Sequence, residues 1–289
     1  MALSAPRSVW DVGAELGEGP VWVKGALWFV DIKKRLIHRF DPTGGSKRSW
    51  NAPQQIGFLL PTQNGSFIAG LQSGLHRFDE TNGSFALIEE VDAEFPDNRL
   101  NDGVVDPRGR LWFGTMDNGE TEKSGKFYSY SHGKLKPAGI DGIAITNGPA
   151  ISPGGDMLYW VDTLGGTISA CAILDDENLG TARLFARIDP VEGFPDGPTV
   201  DSEGCLWISL YAGGEVRRYS PEGELLERVK FPVANITKIA FGGDDLMTAY
   251  ATTARQKLTA EEIAPQPQIG DLFEFRTKVP GLLCPLIAD

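Results

Sequence analysis

LNDGVVDPRGRLWFGT, residues 100–115, contains the unit that decides the fold: a short apolar segment, a Gly-bearing turn, then an aromatic-rich strand. The strand half recurs six times, as LWFVD from Leu27, FIAGL from Phe67, LWFGT from Leu111, LYWVD from Leu158, LWISL from Leu206 and MTAYAT from Met247. Successive copies start 40, 44, 47, 48 and 41 residues apart. A third segment follows most copies, as in LIHRFDPTGG from Leu36 and EVRRYSPEGE from Glu215. It alternates apolar and polar residues and ends in turn formers, which is the pattern of a half-buried strand.

Four short strands per repeat of about 45 residues describe a propeller blade. Six copies fill the 289 residues, so the expectation is an all-β, six-bladed β-propeller occupying residues 1–289 as one domain. An N-terminal strand near Ser8–Val12 is expected to complete the last blade, because a closed ring leaves no exposed sheet edge. A β-helix would need shorter repeats, and two β-sandwiches would show no such period. The best helical window, Thr259–Ile263, is about one turn long.

Composition narrows the class. The net charge of −12 disfavours nucleic acid and anionic membranes as partners and is itself a source of solubility. The sequence has no apolar run long enough for a transmembrane helix, and Met1–Val12 lacks the pattern of a secretory signal. Cys171, Cys205 and Cys284 are widely spaced and odd in number, so no disulfide framework is expected and the cytoplasm is the default location. A monomer or weak oligomer is expected. Of the three histidines, His38, His76 and His132, the first two occupy equivalent HRF strands and read as partly exposed structural residues, which argues against a histidine-based triad. Trp28, Trp112 and Trp207 recur at one repeat position, with Trp160 one residue further along its strand, and all four read as blade packing.

The segments preceding the aromatic strands carry the functional signal. Glu18, Asn101, Asn147 and Asp196 stand at or beside the start of Gly-containing apolar strands, and three of them are followed by Gly-Pro. Asn-Gly and Asp-Gly are also ordinary turn formers. In a propeller, however, the first strand of every blade lines the channel, so side chains up to 178 residues apart in sequence form a ring at one mouth. Glu18 and Asp196 would repel each other there, and a divalent cation relieves the repulsion. With the Asn147 carbonyl they form an all-oxygen set suited to Ca²⁺, Mg²⁺ or Mn²⁺, with Zn²⁺ and Fe²⁺ also accommodated. Three protein donors leave positions for water and substrate.

LGEGPVW, WFVDI, NRLNDGVVDPRGRLWFGTM, ITNGPAISP, FPDGPTVDSEGCLW, FGGDDL and TTAR together resemble the regucalcin (senescence marker protein)–gluconolactonase–luciferin-regenerating enzyme family over Leu16–Arg255. Within that family the chain is most similar to bacterial sugar lactonases such as xylonolactonase. The resemblance implies a metal-dependent hydrolase that opens a sugar lactone, with the metal on Glu18, Asn147 and Asp196. It also implies Asp196 as general base and Arg99 and Asn101 as contacts to sugar hydroxyls. The acidic substrate contact of the family falls on Asp117 or Glu120, because GTMDNGETEKSG departs in spacing. The turns 117–124, 163–166 and 211–214 should lie on the same face as the ring, since the second strand of a blade returns to the end where the first begins. A calcium-binding regulatory propeller without catalysis, and an esterase or phosphotriesterase using the same ion, are the alternatives.

Overall fold

A computed structural model of the chain describes residues 4–174 and 178–288. Six four-stranded antiparallel sheets are arranged as the blades of a β-propeller. The innermost strands of blades 1 to 6 are Gly17–Val23, Ile56–Pro61, Asn98–Val105, Thr146–Ile151, Phe194–Val200 and Ile236–Gly242. The second strands are Ala26–Asp31, Phe67–Leu71, Leu111–Asp117, Met157–Asp162, Leu206–Tyr211 and Thr248–Thr253, matching the six aromatic-rich segments of the repeat. In blade 6 the outermost position is taken by Arg7–Trp10, which pairs with Leu272–Arg276. One short helix, Ala260–Ile263, is capped by Thr259 and Glu262 bonding to each other's backbone amides.

Burial falls from the axis outward. Ile56–Pro61 is buried along its whole length, whereas Lys47–Asn51, an outermost strand, is almost entirely exposed. Large side chains fill the spaces between blades: Trp28 lies against Trp50 and Phe67, and Trp207 against Phe241 and Phe275. Trp28, Trp112, Trp160 and Trp207 are all buried, as blade packing requires. His38 corrects its sequence reading. It is 3% exposed, wedged between Trp10 and Phe29, with Nδ1 2.8 Å from Ser49 Oγ. Burial lowers its pKa to about 4, so it packs as a neutral ring. His76 is half-buried.

The inner strands converge so closely that backbone approaches backbone. A Cβ on Gly57 would lie 2.1 Å from the Asn101 carbonyl oxygen, so only glycine fits between blades 2 and 3. Cys171, Cys205 and Cys284 are free thiols. Among the described residues no helix is long and apolar enough to cross a membrane.

Candidate functional site

Each inner strand carries a register break at the same level of the ring. The breaks fall between Glu18 and Val21, Ile56 and Phe58, Leu100 and Gly103, Asn147 and Ala150, Asp196 and Pro198, and Ile236 and Lys238. A β-bulge bends the strand and re-aims the side chain at the break. This is the local reason for the Gly-Pro steps. Proline has no N–H to lose where the ladder is interrupted. Gly148 adopts φ +82°, and a Cβ there would lie 2.6 Å from Pro198 Cγ.

The re-aimed side chains meet in a cavity of about 280 Å³ at one mouth of the channel. Glu18, Arg99, Asn101, Asn147, Asp196 and Glu120 all line it. Leu16, Met116, Ile145, Leu164 and Phe194 supply apolar wall, and Tyr211, Gln256 and Lys257 stand on the rim turns. Asp117 does not line it. Its carboxylate accepts from the amides of Gly119, Thr121 and Glu122 and from the Thr121 hydroxyl, bonds that hold its pKa near 2 and tie its own loop together. Of the two loop acids, Glu120 is therefore the one the structure brings to the site.

Glu18 and Asp196 are buried, and each accepts one hydrogen bond. Gly19 N–H donates to Glu18 Oε2 and Gly197 N–H to Asp196 Oδ1, both at 2.9 Å. The remaining oxygens, Glu18 Oε1 and Asp196 Oδ2, have no donor among the described residues. Burial, reinforced by the charge of Asp102, raises the Glu18 pKa to about 7. Burial and then the charge of Glu18 raise Asp196 well above the ordinary carboxylate range. Among the described residues neither carboxylate makes a direct ion pair, and the charges of Lys238 and Arg99 only partly offset the cost of burial.

The third oxygen is oriented by a chain of hydrogen bonds. Arg99 Nη1 donates to Asn101 Oδ1 at 2.6 Å, and because arginine can only donate, the Asn101 amide group must be the donor on its other side. Asn101 Nδ2 donates to the Thr146 carbonyl at 2.6 Å and to Asn147 Oδ1 at 3.1 Å, while Asn147 Nδ2 donates to Thr163 Oγ1 at 2.9 Å. The Asn147 carbonyl is thus fixed and keeps lone-pair capacity. Two under-bonded carboxylates and one oriented amide oxygen fit a hard divalent cation. Among the described residues no three His, Cys, Asp or Glu side chains gather, so a cation here would take Asn147 as its third donor.

Arg99 is 2% exposed, and its Nε is buried without a hydrogen-bond partner. Burial lowers its pKa to about 10, against the opposing pull of Glu120, Glu18 and Asp196. Glu120 accepts from Gln256 Nε2 at 2.9 Å and pairs with Lys257 Nζ. Its burial acts to raise its pKa, but the bond to Lys257 and the Lys257 charge outweigh burial and hold it below the ordinary value. Gln256 and Lys257 are the site residues the sequence reading missed. They follow the second strand of blade 6, so the rule that placed 117–124, 163–166 and 211–214 at this mouth would have placed them too.

The SMP-30/Gluconolactonase/LRE-like region matches residues 16–255. The chain is 34% identical over 278 residues to a 6-deoxy-6-sulfogluconolactonase of Pseudomonas putida, covering 94% of this chain and 95% of that one. It is 33% identical over 278 residues to an L-arabinolactonase of Azospirillum brasilense, covering 94% and 92%. The crystal structure of a calcium-binding protein, regucalcin, from Agrobacterium tumefaciens superimposes with a TM-score of 0.93 at 30% identity, covering 98% and 97%.

Proposed function

The chain belongs to the SMP-30/gluconolactonase/LRE-like family, and from that premise we propose that it is a metal-dependent hydrolase opening a sugar lactone to the corresponding aldonic acid. The observation that carries this reading is the pair of buried carboxylates, Glu18 and Asp196, each with one oxygen bonded to backbone and the other left without a donor. Similarity to two sugar lactonases over more than nine-tenths of the chain supports the substrate class.

Glu18, Asn147 and Asp196 would hold the ion. When bound, a divalent cation supplies Lewis acidity to an ester carbonyl. Arg99 and Asn101, which line the cavity, orient the sugar ring. Glu120, fixed by Gln256 and Lys257, accepts from a hydroxyl at the rim. The wall of Leu16, Met116, Ile145 and Phe194 limits water near the reacting carbonyl. Gly197 N–H anchors Asp196 Oδ1, which leaves Oδ2 to take a proton from the attacking water. The same carboxyl returns that proton to the ring oxygen as the C–O bond breaks.

Similarity to the calcium-binding regucalcin of Agrobacterium tumefaciens favours a second reading, in which the ion serves regulation and no lactone is turned over. Chelated and metal-restored protein should be assayed on γ- and δ-aldonolactones, aryl esters and phosphotriesters, with Ca²⁺, Zn²⁺, Mg²⁺, Mn²⁺ and Fe²⁺ in turn. Aldonolactone opening above the buffer rate is the result expected. Metal binding with no turnover of any substrate would favour the regulatory reading.

A further inference from the structure

Beneath the ring, a buried ion pair crosses the channel between opposite blades. Lys238 of blade 6 places Nζ 2.5 Å from Asp102 Oδ1 and 2.6 Å from Asp102 Oδ2 of blade 3. Both side chains are buried, at 8% and 2% exposure. The pair separates the site from a second, apolar cavity of about 240 Å³ at the opposite mouth, of which Lys238 forms part of the wall.

A buried ion pair is a weak stabiliser, because desolvation of the two charges offsets much of their attraction. Its contacts give it another role. Asp102 Oδ2 accepts from Gly148 N–H at 3.0 Å, and Gly148 follows Asn147. Asp102 Oδ1 accepts from Gly103 N–H at 2.8 Å, which anchors the carboxylate to its own bulge. Lys238 packs on the other side: a Cβ at Gly197 would lie 2.4 Å from Lys238 Cβ, and Gly197 follows Asp196. The pair therefore grips the turns next to two of the three ring oxygens. Glycine follows Glu18, Asn147 and Asp196 in three blades, whereas Asp102 follows Asn101 in blade 3 and finds its cation across the axis.

We infer that Asp102 and Lys238 form a cross-channel brace, a pair of positioning residues that fixes Asn147 and Asp196 at the spacing a divalent ion requires. This rests on the proposed metal-dependent reading. Neither residue lines the site cavity, and their charges act on the ring carboxylates in opposite senses, so the brace rests on its contacts to the two turns.

The test is calorimetric titration of Mn²⁺ and Ca²⁺ into the chelated full chain, beside the thermal midpoint of the metal-free protein. Wild type, Asp102→Asn, Lys238→Met and the double variant Asp102→Leu/Lys238→Met should be compared. Loss of partners that orient metal-binding side chains typically weakens affinity about 10–100-fold. That loss is expected in the single variants and in the double variant. Gly103 and Gly148 N–H lose their acceptor in the double variant, so its midpoint should fall, and affinities are compared at a temperature where every variant is folded. Wild-type affinity in the double variant would overturn the brace, since charge imbalance alone would then explain the single variants. It would leave the metal reading intact. Absence of any binding in wild type would overturn both.

Discussion

Asp196 and Asp201 stand five residues apart at the two ends of one inner strand, and both are buried. Asp201 accepts from four donors: the Glu203 and Cys205 amides, Trp207 Nε1 at 2.9 Å and Arg218 Nε at 2.7 Å. Asp106 of blade 3 repeats the arrangement with Arg110 Nε and Trp112 Nε1. Asp196 has a single donor, Gly197 N–H. Desolvation costs the two carboxylates a similar amount, but only Asp201 recovers it within the protein. The far end of the blades uses buried acid to tie strands together, and the ring end keeps its acid available. Burial alone marks neither end; the unused lone pairs distinguish them.

Replacing each acid tests that division, and the largest effect belongs to the ring. Asp196→Ala should abolish aldonolactone turnover above the buffer rate, because it removes a metal donor together with a positioned base that alone contributes about 10²–10⁴-fold, with the thermal midpoint of the metal-free protein unchanged or raised. Initial rates by pH indicator, corrected for spontaneous opening, provide the check. Normal turnover would remove Asp196 from the mechanism. Asp201→Ala should show the opposite profile. It should cost about 3–5 kcal/mol in denaturant unfolding, because Arg218 and Trp207 lose a buried partner, while the rate per folded molecule stays near wild type.

A pH series sharpens the contrast. In the metal-free protein the folded-state pKa of Glu18 is raised from 4.5 to about 7, so the folded state binds more protons than the unfolded chain across that window. Stability should therefore fall as pH rises from about 4.5 to about 7, by on the order of 1–3 kcal/mol. Glu18→Gln should flatten this slope, and saturating divalent ion should reverse it in wild type. An unchanged slope in the variant would show that Glu18 does not carry the strain. The smallest effect is expected at the rim, where Glu120→Gln weakens an ion pair whose lysine is exposed. Its stability cost should stay below about 1 kcal/mol, with KM rising a few-fold and kcat nearly unchanged.

The fold was legible because a blade is a local unit repeated in register, so each aromatic strand could be checked against five others. The ring was legible for the same reason: Glu18, Asn147 and Asp196 share a Gly-Pro step that the bulge geometry explains. Asp102 and Lys238 were not legible. Asn101-Asp102-Gly103 points to Asn101 alone, and nothing in the sequence pairs Asp102 with Lys238 until the ring brings blades 3 and 6 face to face. The Asp117–Glu120 ambiguity was of another kind. Both acids sit in one loop, and only the hydrogen bonds show that Asp117 is occupied by its own turn. His38 was misplaced because a strand pattern gives the side a residue faces but not what packs above it, here Trp10 of the closing strand.

The most direct measurement of the division between the two ends is a stoichiometric titration of Mn²⁺ into three chelated proteins: wild type, Asp196→Ala and Asp201→Ala. One ion per chain in wild type and in folded Asp201→Ala, with binding abolished in Asp196→Ala, is the result predicted. Undiminished binding in Asp196→Ala would mean that the under-bonded ring carboxylates are not where the cation sits.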